Sequence, residues 1–221
     1  MNIFDILGPV MVGPSSSHTA GAVRIGLITK KLLGSVPVKA DITLSGSFAA
    51  TSVGHGTDKA LVAGLLGMDT DNIRIPESFQ LAGEQKMEFT FSKMNIRDAH
   101  PNTALLKVEA ASGRTVEVQA SSLGGGRIMI NKLDGIQINV TGERPALIVH
   151  NLDQPGHVAE VTSLMAHKSI NIATMNVYRD KRGGYAVMVL ETDQNIPDSA
   201  VEWLKRVEGI IKVTRLNIGD E

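Results

Sequence analysis

The chain contains 221 residues, and its 22 Lys and Arg residues against 23 Asp and Glu residues leave a formal net charge of −1. That balance excludes a protein that holds nucleic acid or an anionic membrane mainly by charge. Cysteine is absent, so the chain itself offers no disulfide, no thiolate nucleophile and no cysteine ligand for zinc or an iron–sulfur cluster.

The start of the chain does not look like a targeting segment. Residues 1–18 have no basic region ahead of an apolar stretch, and Asp5 falls early among them. No apolar run approaches the length of a membrane span. We therefore expect a cytoplasmic protein that does not contact a membrane.

Hydrophobic periodicity predicts two helices and a strand in the first third of the chain. Apolar residues recur at three- and four-residue steps over residues 20–33, and Gly34 follows as a helix stop. The predicted elements are, in order, a loop over 8–18, a helix over 20–33, a strand over 38–44 and a helix over 58–66.

The apolar period then changes to two, which indicates strands. The alternating stretches are 87–91, 106–110, 116–120 and 136–140. Gly113 and the pair Asp134-Gly135 supply turns between successive strands. We therefore predict an α+β domain, in which a mixed or mostly antiparallel sheet carries a few helices.

A change in composition divides the chain. Residues 141–145 combine Gly, charge and Pro between two predicted strands, as linkers between domains do. This places one domain over residues 1–142 and a second over residues 143–221.

The second domain has the element order βαββαβ, which is the ferredoxin-like arrangement. Its predicted elements are strand 146–150, turn 151–156, helix 157–168, strand 170–178, turn 179–184, strand 185–190, a helix with Pro197 at its first position, and strand 211–218. Strand 185–190 is apolar at both parities, which predicts burial on both faces. The first helix is expected to bury Val158, Val161, Leu164 and Met165.

The turn before the first of these helices carries the pattern Asn151, Asp153, Pro155, Gly156. Gly156 permits a tight turn, and the helix N-terminus beyond it offers free N–H groups to a carboxylate. Alternatively, Asn151 and Asp153 merely cap the helix and fix the turn. Strand, motif and element order together resemble an ACT domain, a small module that senses amino acids.

That resemblance implies self-association of the domain, with effector sites at the interface. We expect effector contacts at Asn151, Asp153 and Gly156. The carboxylate of Asp153 is also a hard oxygen donor, so a monovalent cation is a competing ligand.

The loop before the first helix is rich in hydroxyls. Gly13-Pro14 is followed by Ser15, Ser16, Ser17, His18 and Thr19. Hydroxyl groups beside a helix N-terminus are suited to binding a phosphate or carboxylate. The alternative is an ordinary N-cap made by Ser17 or Thr19.

Two further loops carry a histidine. His55 lies between Gly54 and Gly56, which leave its ring accessible, and Pro101 holds His100 in an extended conformation ahead of Asn102. Neither is a phosphate-binding loop or a dinucleotide motif. Histidines in such loops suit general acid–base chemistry, whereas their long spacing gives little support to a metal site on this chain.

A glycine-rich stretch, Ser121 to Arg127, completes the candidates. The successive backbone N–H groups of Gly124 and Gly125 are able to bind an anion, and Ser122 is a candidate contact for a substrate carboxylate.

These four motifs in this order, ahead of an ACT domain, resemble the beta chain of the bacterial two-subunit, iron–sulfur-dependent L-serine dehydratase (L-serine ammonia-lyase). The resemblance implies an N-terminal domain like the allosteric substrate-binding domain of a phosphoglycerate dehydrogenase. It also implies a heterodimer with an alpha chain that holds a 4Fe-4S cluster, conversion of L-serine to pyruvate and ammonia, and a place in gluconeogenesis. The lack of cysteine agrees with a cluster held elsewhere.

Two functions remain open on the sequence. In the first, the chain is a catalytic partner: His55, His100 and His18 are catalytic, and Ser15, Ser16, Ser17, Thr19, Asn102, Ser122, Gly124 and Gly125 contact the substrate. In the second, the chain is a non-catalytic regulatory subunit that binds amino acids in both domains. The histidine loops at His55 and His100 favour the first, because a sensor does not need them.

Overall fold

The computed structural model describes residues 10–218, which form two compact units. The main division falls at Gly142. Among the described residues, no helix is both long enough and apolar enough to cross a membrane.

The first unit is built around a six-stranded sheet. Its elements are α1 (Gly21–Leu33), β1 (Lys39–Ser45), α2 (Gly46–Thr51), α3 (Thr57–Leu66), α4 (Ser78–Glu84), β2 (Glu88–Lys93), β3 (Asn102–Glu109), β4 (Thr115–Gly124), β5 (Arg127–Leu133) and β6 (Ile136–Val140). The strand order is β2-β1-β3-β4-β5-β6.

The sheet is mixed, as predicted. β1 pairs in parallel with β2, because α2, α3 and α4 intervene and carry the chain back to its starting end. The pairs β1–β3, β3–β4 and β4–β5 are antiparallel. Helix α1 packs on β3, β4 and β5, so that the alternate apolar residues of these strands form the core.

Helices α1 and α3 touch through their backbones. A Cβ on Gly26 would collide with the carbonyl oxygen of Leu61, and one on Gly64 would lie 2.7 Å from the backbone nitrogen of Leu27. Glycine at both positions therefore lets the two helices approach more closely than side chains would allow.

Several local predictions for this unit were wrong. The helix predicted from residue 20 begins earlier, with a π-helical turn over Ser16–Ala20 that runs into α1. Helices α2 and α4 are too short to show a clear period, and β5 was missed. In β5 the buried residues Ile128, Ile130 and Leu133 do not keep a strict two-residue spacing, because a bulge inserts an extra residue.

The second unit has the predicted βαββαβ order. Its elements are β7 (Ala146–Leu152), α5 (His157–His167), β8 (Ile172–Arg179), β9 (Tyr185–Thr192), α6 (Asp198–Leu204) and β10 (Ile210–Leu216). The four strands form an antiparallel sheet in the order β10-β7-β9-β8. Residues from the sheet and from both helices make one apolar cluster, and Met165, Met188 and Leu204 lie fully inside it.

Three residues of this unit lie elsewhere than predicted. Val158 is 46% exposed, and His157 takes the buried position at the start of α5. Pro197 is the N-cap of α6 rather than its first residue. Tyr185 is exposed at the beginning of β9, although the rest of that predicted strand is buried.

Candidate functional site

The hydroxyl-rich loop forms a wide helical turn ahead of α1. Ser15 is its N-cap, and the Oγ of Ser15 accepts a hydrogen bond from the backbone N–H of His18 at 3.1 Å. The backbone N–H of Gly21 donates to the carbonyl oxygen of Ser16, which is the five-residue step of a π turn. Turns of this kind occur frequently at functional sites.

Hydroxyl groups engage both ring nitrogens of His18. Its Nδ1 lies 3.1 Å from the Oγ of Ser17 and 3.3 Å from the Oγ of Ser15. Its Nε2 lies 2.9 Å from the Oγ of Ser47, a residue of α2. Three serine hydroxyls therefore hold the ring through its two nitrogens.

Ser47 is the residue of this site that sequence analysis missed. It follows Ser45-Gly46, where the alternating strand β1 ends, and small polar residues directly after a strand are the signal that was available.

His55 lies against His18 in the exposed turn between α2 and α3. The two rings are 4.9 Å apart between centroids and meet edge to face at 84°. The carbonyl oxygen of His55 accepts a hydrogen bond from Thr19 Oγ1 at 3.3 Å, and its N–H donates to the Thr51 carbonyl. Within residues 10–218, no hydrogen bond engages the imidazole nitrogens of His55, and the residue is exposed.

His100 is attached to the same cluster through its neighbour. The carbonyl oxygen of Pro101 accepts hydrogen bonds from the N–H of Ser47 at 2.7 Å and of Phe48 at 3.4 Å, which ties the His100 loop to the start of α2. The Nδ1 of His100 accepts from the N–H of Asn102 at 3.1 Å. His18 thus contacts His55 directly, whereas His100 is linked to His18 by way of Ser47.

Burial and charge lower the pKa of His18. Burial is the larger cause, because an apolar environment disfavours the imidazolium, and the neighbouring His55 adds repulsion. The neutral form of His18 is therefore favoured near pH 7.

The glycine-rich stretch is the tight turn of a hairpin. Gly125 and Gly126 join β4 to β5 with φ of 61° and 74°, a conformation of two-residue hairpins that favours glycine. Ser122 is fully buried in β4, and its Oγ occupies the space that a Cβ on Gly21 would need. A ligand would reach Ser122 only if α1 moved.

The predicted effector residues of the ACT unit have separate surroundings. Asn151 is 4% exposed, and its Nδ2 donates to the carbonyl oxygen of Leu152. Asp153 Oδ2 accepts from the N–H of Gly183 at 2.9 Å and from Arg179 at 3.2 Å, so it anchors the turn between β8 and β9. These contacts, the Gly183 N–H first, lower the pKa of Asp153.

Gly156 provides the backbone conformation that starts α5. Its φ is 106°, which a side chain rarely tolerates, and no side chain caps the helix there. The alternative in which Asn151 or Asp153 caps α5 is therefore wrong, while effector binding at the turn stays a prediction.

The chain's own side chains do not fit an iron–sulfur cluster. It has no cysteine, and residues 10–218 contain no group of three or more His, Asp or Glu side chains arranged to hold a metal ion. Any such cluster would need ligands from another chain.

The fold and the histidine cluster together define a two-domain protein in which an ACT domain follows an α+β domain that carries a cluster of histidine and serine side chains. Comparison with known proteins agrees with this class: the family model for the serine dehydratase beta chain matches residues 2–132, and that for the ACT domain matches residues 146–209. The chain therefore belongs to the L-serine dehydratase beta chain family.

Relatives match along most of the chain. A probable L-serine dehydratase beta chain from Bacillus subtilis is 41% identical, and the alignment covers 97% of both chains. The L-serine dehydratase beta chain of Peptoniphilus asaccharolyticus is 35% identical over 93% of both. A D-3-phosphoglycerate dehydrogenase from Archaeoglobus fulgidus is 28% identical over 89% of this chain and 37% of the dehydrogenase.

Proposed function

We propose that this beta chain deaminates L-serine to pyruvate and ammonia in a complex with an alpha chain that carries a 4Fe-4S cluster. The reaction removes the Cα proton and the β-hydroxyl of serine as water. The resulting aminoacrylate then hydrolyses to pyruvate and ammonia. The paired rings of His18 and His55 carry this proposal, because they supply an accessible base beside a neutral neighbour.

His55 is the group we assign to proton transfer at Cα. Its imidazole nitrogens have no partner within the described chain, and the turn that holds it is exposed, as transfer to a substrate requires. Imidazole is the side chain that most often takes and gives protons in enzymes.

His18 is better placed to orient than to transfer protons. Its two nitrogens are engaged by Ser15, Ser17 and Ser47, so a proton on either nitrogen is already shared with a hydroxyl. We propose that the loop of Ser15 to Thr19 contacts the substrate carboxylate and that His18 fixes the ring of His55.

The proposed cluster needs a partner chain to hold it. This chain has neither cysteine nor a three-ligand metal cluster in its described part, and its relatives from B. subtilis and P. asaccharolyticus are named as beta chains. The exposed turn at His55, with Val53 81% exposed beside it, is open to such a partner.

The test is reconstitution under anaerobic conditions. The beta chain alone and the alpha chain alone should be inactive toward L-serine, and the mixture should be active. In the mixture, His55→Gln should lower kcat by about 10²–10⁴-fold, the usual effect of removing a general acid–base group. His167→Gln, which changes an exposed histidine of α5, is the matched control and should leave kcat unchanged.

A regulatory role is the second candidate. It is favoured by the alignment with a phosphoglycerate dehydrogenase, which shows that a chain of this organisation occurs inside an enzyme of different chemistry. Full activity of the His55→Gln complex would support this reading and contradict the catalytic one. Turnover by the beta chain without an alpha chain would contradict the two-subunit proposal.

A further inference from the structure

Three polar side chains form a row across neighbouring strands of the first sheet and end at His100. The Oδ1 of Asn131 in β5 lies 2.7 Å from the Oγ of Ser121 in β4, and that Oγ lies 2.8 Å from Thr103 Oγ1 in β3. Thr103 Oγ1 in turn donates to the carbonyl oxygen of His100 at 2.6 Å. Ser121 and Thr103 are at most 1% exposed, so water does not complete these contacts.

A bulge in the sheet brings Asn131 into this row. Gln119 pairs with Lys132, whereas the next residue, Ala120, pairs with Ile130, which leaves Asn131 as the extra residue of β5. A bulge interrupts the hydrogen bonds of the ladder and re-aims a side chain. Here the re-aimed side chain is the amide that meets Ser121.

The number of hydroxyl protons determines which group donates in each hydrogen bond of the row. Thr103 has one hydroxyl proton, and the short contact with the His100 carbonyl uses it. Ser121 must then give its single proton to Thr103, which leaves none for Asn131. The structure has the Oδ1 of Asn131 accepting from Ser121, and that arrangement leaves the Ser121–Thr103 contact without a proton. A 180° rotation of the amide exchanges its oxygen and nitrogen, so that Nδ2 donates to Ser121 and every contact has a proton.

The geometry points to Asn131, Ser121 and Thr103 as a directed hydrogen-bond chain that positions His100 through its carbonyl oxygen. Each buried contact then has one proton. If Asn131 instead accepted from Ser121, one close pair of oxygen atoms would have no proton between them. With the His100 backbone fixed, its Nδ1 accepts from the N–H of Asn102, and the neutral ring carries its proton on Nε2. His100 is thereby oriented as a hydrogen-bond donor, a role in the reaction that rests on the proposed function.

The first test needs neither a partner chain nor turnover. In NMR spectra of the full chain, one Nδ2 proton of Asn131 should show a nuclear Overhauser effect to the β protons of Ser121. That proton should exchange slowly with water, and Ser121→Ala should remove its protection. An Asn131 amide whose NH₂ group faces away from Ser121 would overturn the inference, whatever the protein catalyses.

The second test uses variants in the reconstituted complex. Asn131→Asp keeps the size of the side chain, but a carboxylate only accepts hydrogen bonds and cannot donate to Ser121. This variant should lower kcat/KM by up to about 100-fold. Thr103→Val should do the same, while Thr103→Ser, which keeps the hydroxyl, should restore activity. Thr43→Val is the matched control, because it removes a similar hydroxyl pair with Ser92 on another part of the sheet.

The outcomes separate this inference from the proposed function. Asn131→Asp with wild-type kcat/KM would show that Asn131 acts as an acceptor and would overturn the direction of the chain. Loss of activity in Thr103→Ser equal to that in Thr103→Val would show that packing, not the hydroxyl, matters. If the wild-type complex has no lyase activity, the proposed function fails. The NMR result still decides whether Asn131 donates to Ser121 and thus the direction of the hydrogen bonds.

Discussion

His18 shows how a single residue's surroundings determine its chemistry. Its ring is partly buried, touches the ring of His55 and is surrounded by serine hydroxyls. Burial disfavours its charged form more than the neighbouring histidine does. Because burial is the larger cause, removing His55 should reverse only part of the decrease in the pKa of His18.

We expect His18 to titrate below 6.5 in NMR spectra of the full chain. In His55→Gln its midpoint should rise, because one source of repulsion is gone, but it should stay below 6.5, because burial remains. A wild-type midpoint at or above 6.5 would contradict the neutral state that we assign to His18.

The same shift links His18 to stability. Because the folded-state pKa lies below the unfolded value, the unfolded chain binds more protons between these two values. The contribution of His18 to the free energy of unfolding is therefore complete above about pH 6.5 and is lost as the pH falls through the folded pKa. Denaturant unfolding should show a weaker loss at acidic pH in His18→Gln than in the wild type.

At the scale of elements, the contact between α1 and α3 depends on two glycines. A Cβ on Gly26 would meet backbone atoms of α3, including the nitrogen of Leu65 at 2.9 Å, and backbone atoms cannot turn aside as a side chain can. Gly83 of α4 is also helical, but its position has open space within 4 Å. Alanine substitutions at the two positions therefore distinguish the effect of helix propensity on stability from the effect of packing.

Gly26→Ala should lower the free energy of unfolding by about 1–3 kcal/mol, because overpacking outweighs a gain in helix propensity of about 1 kcal/mol. Gly83→Ala should raise it by about 0.5–1 kcal/mol, since only the propensity changes. Chemical denaturation of both variants measures these differences. A stabilised Gly26→Ala protein would show that the two helices are free to separate.

At the scale of the whole molecule, the edges of the second sheet predict association between copies. β8 and β10 are the outer strands, and an edge strand presents unpaired backbone groups to another chain. Val177 on β8 is 49% exposed, and a small four-stranded unit has little core of its own. We therefore expect the chain to self-associate through its ACT domain.

Sedimentation of the full chain over a range of concentrations tests this expectation. Val177→Lys should weaken self-association, because a charge on the edge strand opposes pairing. Val158→Lys on α5 is the matched control, since Val158 is 46% exposed but lies on a helix. A wild-type chain that stays monomeric at every concentration would exclude the association.

Most of the fold follows from local patterns in the sequence. The period of residues 20–33 predicts α1, the alternation at 38–44 predicts β1, and the βαββαβ order predicts the ACT unit, because each of these patterns acts over a few neighbouring residues. Short or interrupted elements escape this reasoning. The bulge at Asn131 breaks the alternation of β5, and α2 is shorter than two full helical turns.

The amino-acid sequence by itself determined the α+β architecture of both domains, the lack of cysteine ligands and the histidine-bearing loops that make up the candidate site. Only the tertiary structure decided that His18 and His55 form a pair, that Ser47 joins it, and that Ser122 is buried beneath α1. Periodicity reports which face of an element is apolar, so it predicts elements well. Contacts between residues far apart in sequence depend on how the elements pack, and that packing is a property of the whole domain.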